Sequence, residues 1–265
     1  LARILQITDP HVIAPPGLVS GQLNTPALMA AAIDSILADM EKYGVIDAVL
    51  VTGDVTDDGA LESFDWFRTQ IERLELPYFL IPGNHDRRDL MRASFADQAF
   101  MPETGHINWV HDLPDLRLVG LDTLIPGQGS GILDQTTLEF LSEALRGRPD
   151  APFLIAMHHP PFASGIRFMD ELGLAGIEDL QRILHSAPNT CRIICGHVHS
   201  MIVSTVGPAT AIACPSISSH FKTDLRNDAP VGFMSGPTGY MLHDWNDGFC
   251  STGIPLSKAQ GPFPF

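Results

Sequence analysis

Five times in this chain a short apolar run gives way at once to Asp, Asn or His. Ala48-Val49-Leu50-Val51-Thr52-Gly53 runs into Asp54. The others are Arg3 to Thr8 before Asp9-Pro10-His11, Pro77 to Pro82 before Gly83-Asn84-His85-Asp86, Pro152 to Met157 before His158-His159-Pro160-Pro161, and Arg192 to Cys195 before Gly196-His197-Val198-His199. Runs of this length, rich in β-branched residues and bounded by Gly or Pro, read as buried strands. Ligands of open α/β sheets bind at the carboxyl ends of such strands. A single Gly-Asp turn is common, but five strand ends bearing metal-ligand residue types require a sheet that gathers them in one place.

Helical patterns lie between the strands, which makes the fold α/β. Thr25-Pro26 reads as an N-cap with proline at the first helical position. Leu28 to Tyr43 sets Ile33, Ile36, Leu37 and Met40 on one stripe, and Gly44 suits the C-cap. Ala60 to Leu74, Asp134 to Arg146 and Ile177 to His185 read as further helices, with Trp66 and Phe67 as packing residues. Leu116 to Leu121 is a further strand, and the alternation is compatible with two similar halves that split near Leu113 to Leu116. The Gly-rich loop Ile125 to Gly131 lacks the Lys-Ser/Thr ending of a phosphate cradle and opens no helix. Met201 to Ala213 fits a hairpin, Ser216 to Gly239 is irregular and polar, Tyr240 to Pro255 reads as a closing hairpin, and the tail Gly261 to Phe265 as extended.

With 265 residues, of which 45% are hydrophobic and 18% charged, the chain suits one large α/β domain or two small ones. Its net charge of -15 argues against nonspecific binding to a nucleic-acid polymer or an anionic membrane, both of which need a positive patch. No apolar run is long enough for a membrane span. Cys191, Cys195, Cys214 and Cys250 form no CxxC pair and read as reduced structural residues of a cytoplasmic protein, a disulfide being unsupported. The chain enters a strand at once from Leu1, and no signal peptide is expected within these residues.

Asp9, His11, Asp54, Asn84, His158, His197 and His199 make a mixed O/N donor set without thiolate, which suits Zn, Mn or Fe in a reactive site. They exceed one tetrahedral site. Two ions about 3.5–4 Å apart, bridged by one carboxylate, would use them all. Two such ions also leave the site positive, so an acidic protein can still draw in a phosphate.

These blocks resemble, in order, the five motifs of the calcineurin-like metallophosphoesterases: Asp9-x-His11, Gly53-Asp54, Gly83-Asn84-His85-Asp86, His158-His159 and Gly196-His197-x-His199. The match runs from residue 4 to 199. The family's protein phosphatases end the third block in Glu where this chain has Asp86. That residue, and the segment His158 to Phe162 with Gly165, Ile166, Met169 and Asp170, is similar to the branch of class III cyclic-nucleotide phosphodiesterases and glycerophosphodiesterases.

The resemblance implies one ion on Asp9, His11 and His199, a second on Asn84, His158 and His197, and Asp54 between them. The ions would be divalent Fe, Mn, Zn or Co. It implies a four-layer α-β-β-α sandwich, with two central mixed β-sheets flanked by helices and a C-terminal β-hairpin cap. Residues 1–200 would form the catalytic core and 201–265 the strands that complete it and serve dimerisation, as a single domain and a homodimer or higher oligomer. Small phosphodiesters such as cyclic nucleotides or glycerophosphodiesters would be hydrolysed by in-line attack of activated water on phosphorus.

His85, outside the ligand slots, would steady the phosphoryl group or protonate the leaving oxygen, with Asp86 orienting it. Asp86 and His159 are expected to support the ligands from behind or to serve the structure rather than to bind an ion themselves. Substrate contacts are expected from His85, Asn84, His220, Phe162 and Met169. The alternatives are a phosphomonoesterase or nucleotide-pyrophosphate hydrolase on the same scaffold, and more remotely a non-catalytic metal-binding scaffold.

Overall fold

The computed structural model describes residues 1–257. The expected tail Gly261 to Phe265 lies outside the described residues. The elements run β1 (Ala2–Ile7), α1 (Thr25–Tyr43), β2 (Ala48–Val51), α2 (Leu61–Ile71), β3 (Tyr78–Leu80), α3 (Arg88–Ser94), β4 (Trp109–Asp112) and β5 (Arg117–Leu121). They continue with β6 (Gly131–Ile132), α4 (Gln135–Gly147), β7 (Phe153–Met157), α5 (Arg167–Asp170), β8 (Leu174–Ala175), α6 (Ile177–Ser186), β9 (Cys191–Cys195), β10 (Ile202–Val206), β11 (Ala209–Ala213), β12 (Gly239–Trp245) and β13 (Phe249–Pro255).

Two mixed sheets result. One has five strands in the order β13-β12-β1-β2-β3, the other six in the order β10-β11-β9-β7-β5-β4. In the first, β1, β2 and β3 are parallel, and in the second β5, β7, β9 and β11 are. Parallel neighbours need crossovers: α1, α2, α4 and α6 provide four, and strand β10 makes the passage from β9 to β11. Strands covered on both faces become continuous apolar runs, which is why Ala48–Val51 and Phe153–Met157 are buried at every position.

The faces alternate with a period of two. Leu118, Leu154, Ala156 and Ile194 join Ile4 and Leu50 in one core cluster, while Val119, Phe153, Ile155 and Ile193 join Leu141 and Leu180 of the α4 and α6 layer in another. This is the expected mixed two-sheet sandwich with helices outside. No described helix is long and apolar enough to cross a membrane.

Three local expectations change. Asn24, not Thr25, caps α1, its Oδ1 accepting from Ala27 N–H at 3.1 Å, so Pro26 stands second in the helix. The chain passes to the second sheet before Leu113, because Trp109–Asp112 is already the edge strand antiparallel to β5. Its mixed sequence, Trp-Val-His-Asp, hides it among polar residues. The C-terminal strands divide between the sheets: β10 and β11 extend the second, and β12 pairs antiparallel with β1 to extend the first. The irregular stretch between β11 and β12 is the part that reaches the strand ends.

Two polar ties cross the apolar layers. Arg88 makes a fork–fork ion pair with buried Asp122 at 2.6 and 2.7 Å, joining the start of α3 to the end of β5. Between the sheets, Arg192 donates to Ser251 Oγ at 2.7 Å, the Ser251 hydroxyl meets His243 Nδ1 at 2.8 Å, and His243 Nε2 donates to Gln6 Oε1 at 2.8 Å. Gln6 Nε2 then donates to Thr52 Oγ1 at 2.8 Å, beside the strand end that carries Asp54.

Candidate metal centre

The seven candidate ligands arrive from five strand ends: Asp9 and His11 after β1, Asp54 after β2, Asn84 after β3, His158 after β7, His197 and His199 after β9. A chain leaving a strand must bend sharply to aim several side chains at one point. Asp9, His11, Asp54, His197 and His199 do so in left-handed backbone, with φ of 50°, 47°, 47°, 70° and 49°. Such angles are uncommon for residues with a side chain and cluster at functional sites.

Glycines make room for this convergence. A Cβ on Gly53 (φ 93°) would collide with the His158 ring, and one on Gly196 with Thr8 Oγ1 and the Asp9 carboxylate.

The side chains form two groups. His11 Nε2 faces His199 Nε2 at 3.1 Å, with Asp9 Oδ1 at 3.9 Å from His11 and 3.4 Å from His199. His158 Nε2 faces Asn84 Oδ1 at 3.1 Å and His197 Nδ1 at 3.2 Å. Asp54 Oδ2 stands between the groups, 3.5 Å from His11 Nε2 and 3.4 Å from His158 Nε2. One carboxylate oxygen thus faces both groups at nearly equal distance.

Each imidazole is held from behind, as ligating histidines require. His11 Nδ1 meets Asp57 Oδ1 at 3.0 Å, and His199 Nδ1 meets Ser219 Oγ at 2.8 Å. His158 Nδ1 donates to the Thr52 carbonyl at 2.9 Å, and His197 Nε2 to the Leu172 carbonyl at 3.2 Å. Those contacts leave the facing nitrogens to share whatever cation lies between them.

The electrostatics agree. His11 is raised to about 9 although burial pulls it down, because Asp57, Asp54 and Asp9 surround it. His158 is likewise raised to about 9 against burial, chiefly by Asp54. Their partners go the other way: burial lowers His199 despite Asp9, and burial with His159 and His158 holds His197 well below its ordinary value. Burial would lift Asp54, but His158, His85 and His11 outweigh it and keep the carboxyl well down. Each facing pair is therefore one imidazolium and one neutral ring, with a single proton between two nitrogens. In donor chemistry, four imidazoles, two carboxylates and one amide oxygen, the set fits two divalent ions.

His85 stands at the rim with its side chain 38% exposed. Its N–H donates to Asp54 Oδ1 at 2.9 Å, and its Nδ1 lies 3.1 Å from the Asp57 carbonyl and 3.4 Å from Asp57 Oδ1. That leaves Nε2 as the ring nitrogen able to reach a substrate oxygen.

Asp86 does not orient His85. Its buried carboxylate accepts from Val55 N, Thr56 N, Thr56 Oγ1 and Gly83 N at 2.9–3.0 Å, stitching the second and third loops together. Burial and Asp54 raise it to about 6 against those N–H donors. His159 points at Thr123 Oγ1 (2.8 Å) and the Gly129 carbonyl (3.2 Å), and burial with His158 lowers it to about 3.

The expected substrate residues separate. Asn84 lies within the second donor group, and His85 borders the site at its rim. His220 Nδ1 lies 3.3 Å from the His199 carbonyl and 3.3 Å from Ser200 Oγ, against the backbone of the fifth motif. Phe162 and buried Met169 line a cavity of about 180 Å³ with Gly173, Leu174 and His197.

Asp57 was not foreseen, although its place three residues after Asp54 in the turn leaving β2 was a usable signal. Thr52 and Leu172 act through backbone carbonyls, which leave no trace in sequence.

Comparisons with known proteins place the whole chain. The family model of calcineurin-like phosphoesterases matches residues 2–201. A probable glycerophosphodiester phosphodiesterase of Arcobacter nitrofigilis is 30% identical over 265 residues, covering 99% of this chain and 96% of that protein. A 3',5'-cyclic adenosine monophosphate phosphodiesterase of Pseudomonas aeruginosa is 28% identical, covering 95% and 88%. A dimetal phosphatase from Danio rerio shares the fold at a TM-score of 0.68 and 14% identity, covering 97% of each chain. With its motifs gathered on paired sheets and a family match over most of its length, the chain belongs to the calcineurin-like phosphoesterases.

Proposed function

We propose that this chain is a phosphodiesterase that uses two divalent ions to hydrolyse small phosphodiesters such as cyclic nucleotides or glycerophosphodiesters. The observation that carries the reading is Asp54 Oδ2, set 3.5 Å from His11 Nε2 and 3.4 Å from His158 Nε2 as a bridge between two donor groups. The relatives named as glycerophosphodiester and cyclic AMP phosphodiesterases support the substrate class.

Two divalent ions, when bound, supply the positive charge that draws an anionic diester into an acidic protein and bring water's pKa toward neutrality. The chain's own residues do the rest. Asp9, Asp54 and the pinned imidazoles fix the donors before substrate arrives. Asp57 holds His85 through Nδ1, which lies 3.1 Å from its carbonyl and 3.4 Å from its carboxylate, and so turns Nε2 toward the substrate. As water's oxygen bonds to phosphorus and the bond to the alcohol breaks, His85 gives its Nε2 proton to the departing oxygen. Fe, Mn, Zn and Co all suit this mixed O/N donor set.

We place the enzyme in the cytoplasm, where cysteines remain reduced; Cys191, Cys195, Cys214 and Cys250 are all free. Self-association through the C-terminal strands is supported by Met201 and Val203, 52% and 57% exposed beside and on edge strand β10.

The test is kcat/KM for bis(p-nitrophenyl) phosphate and p-nitrophenyl phosphate on one metal-reconstituted form. A diester preference is expected. A monoester preference of about tenfold, on the order of 1.4 kcal/mol in transition-state binding, reverses the assignment to a phosphomonoesterase.

A further inference from the structure

The two donor groups are secured differently. His158 and His197 rest on the backbone carbonyls of Thr52 and Leu172. In the other group His11 rests on Asp57, but Asp9 and His199 are gripped by the irregular turn that follows β11. Ser216 Oγ and Ser218 Oγ each donate to the Asp9 carbonyl at 2.8 Å. Ser219 Oγ lies 2.8 Å from His199 Nδ1. Phe221 stacks on the His199 ring, with centroids 4.2 Å apart and planes at 22°, and Phe168 meets Phe221 edge-on at 5.3 Å. Ser200 Oγ donates to the Phe221 carbonyl at 3.0 Å. His220 and Met234 exchange backbone bonds of 2.9 and 2.7 Å, which ties the rest of the irregular stretch to the same turn.

A serine hydroxyl opposite an imidazole nitrogen can accept, and doing so puts the ring proton on Nδ1. The lone pair of His199 Nε2 is then free to face His11. Asp9, at φ 50°, turns its carbonyl outward to where two hydroxyls meet it. Without them a strained residue would lose the contacts that over-determine its conformation.

We propose that Ser219 is a positioning residue: it sets the tautomer of His199, while Ser216 and Ser218 hold Asp9, so that this donor group takes up its ion only when the turn at 216–221 is docked. The inference rests on the metal-binding reading above. By linkage, the ion in turn holds the turn and the stretch tied to it.

The experiment titrates Mn²⁺ into the metal-free full chain and follows it by calorimetry, for wild type, Ser219→Ala and Ser219→Thr. Imidazole ¹⁵N shifts read the His199 tautomer, and hydrogen exchange reads residues 219–234. Expected are two ions for wild type, one of two affinities weakened by roughly 10–100-fold in Ser219→Ala, and recovery to within about threefold in Ser219→Thr. The Nδ1–H tautomer should be lost only in Ser219→Ala, and Mn²⁺ should slow exchange at 219–221 in wild type. Should Ser219→Ala not fold, Ser216→Ala should show the same selective weakening.

Equal weakening of both ions in the substituted chain, or two ions bound as in wild type, overturns this inference alone. Wild type that takes up no divalent ion overturns the metal-binding reading and this inference together.

Discussion

His85 leans on Asp57 rather than on Asp86, its neighbour in sequence: Nδ1 lies 3.1 Å from the Asp57 carbonyl and 3.4 Å from its carboxylate. The same carboxylate oxygen holds His11 Nδ1 at 3.0 Å, so one side chain steadies both a ligand and the rim histidine. Asp57→Asn keeps the shape and removes the charge. We expect kcat/KM for bis(p-nitrophenyl) phosphate to fall about 10–100-fold. In a double-mutant cycle with His85→Ala the two losses should be far from additive. Additive losses would show that the two residues act apart.

His85→Ala should retain both ions, because the ring is in neither donor group. Turnover should drop by roughly 10²–10⁴, the range for a lost general acid. The drop should shrink along a series of diesters with increasingly acidic leaving alcohols. An equal drop across the series would assign His85 to holding the phosphoryl oxygens instead, and loss of an ion by metal analysis would remove both roles.

Ion uptake should release protons. His11 and His158, each raised to about 9, carry protons below that pH, and an ion must displace them. Apparent affinity should therefore climb as pH rises from about 6.5 and level off above about 9. Calorimetry in buffers of different ionisation heat counts the protons. A count of zero at neutral pH would refute the proton-bridged arrangement of the imidazole pairs.

His243 should make folding stability depend on pH. Burial, aided by Arg192, lowers it to about 3, and it is bound between Gln6 and Ser251. Between that value and the unfolded value of about 6.5 the unfolded chain binds a proton that the folded chain does not. The contribution is thus intact above about pH 6.5 and shrinks as pH falls, by about 1.4 kcal/mol at pH 5.5. Urea unfolding at pH 7.5 and 5.5 should show His243→Gln losing about that much less than wild type. Identical losses would place the acid sensitivity elsewhere.

The sheets and the candidate donors were legible for the same reason: apolar runs that must be buried are broken by residues that must not be, unless something binds them. Strand β4 was not, because Trp109-Val110-His111-Asp112 lies at a sheet edge with only Trp109 buried. Asp86 was assigned to His85 by adjacency, yet Asn84 and His85 form a tight turn closed by Asp86 N–H on the Gly83 carbonyl, and the Asp86 carboxylate folds back onto Gly83, Val55 and Thr56. Asp57 gains its place from the turn after β2, which sequence spacing indicates only weakly. Thr52 and Leu172 serve through carbonyls that every residue owns, so their part emerges only when the chain is folded.

Asp9, His11, Asp54, His197 and His199 are bent into left-handed backbone by hydrogen bonds and close packing from the surrounding loops. Each such bend costs on the order of 1–3 kcal/mol, and the fold bears that cost itself. The cage is consequently cut to size in advance, and an arriving ion adapts to the cage rather than the cage to the ion. Replacing one first-row divalent ion by another should alter bond lengths and reaction rate while the five loops keep their course.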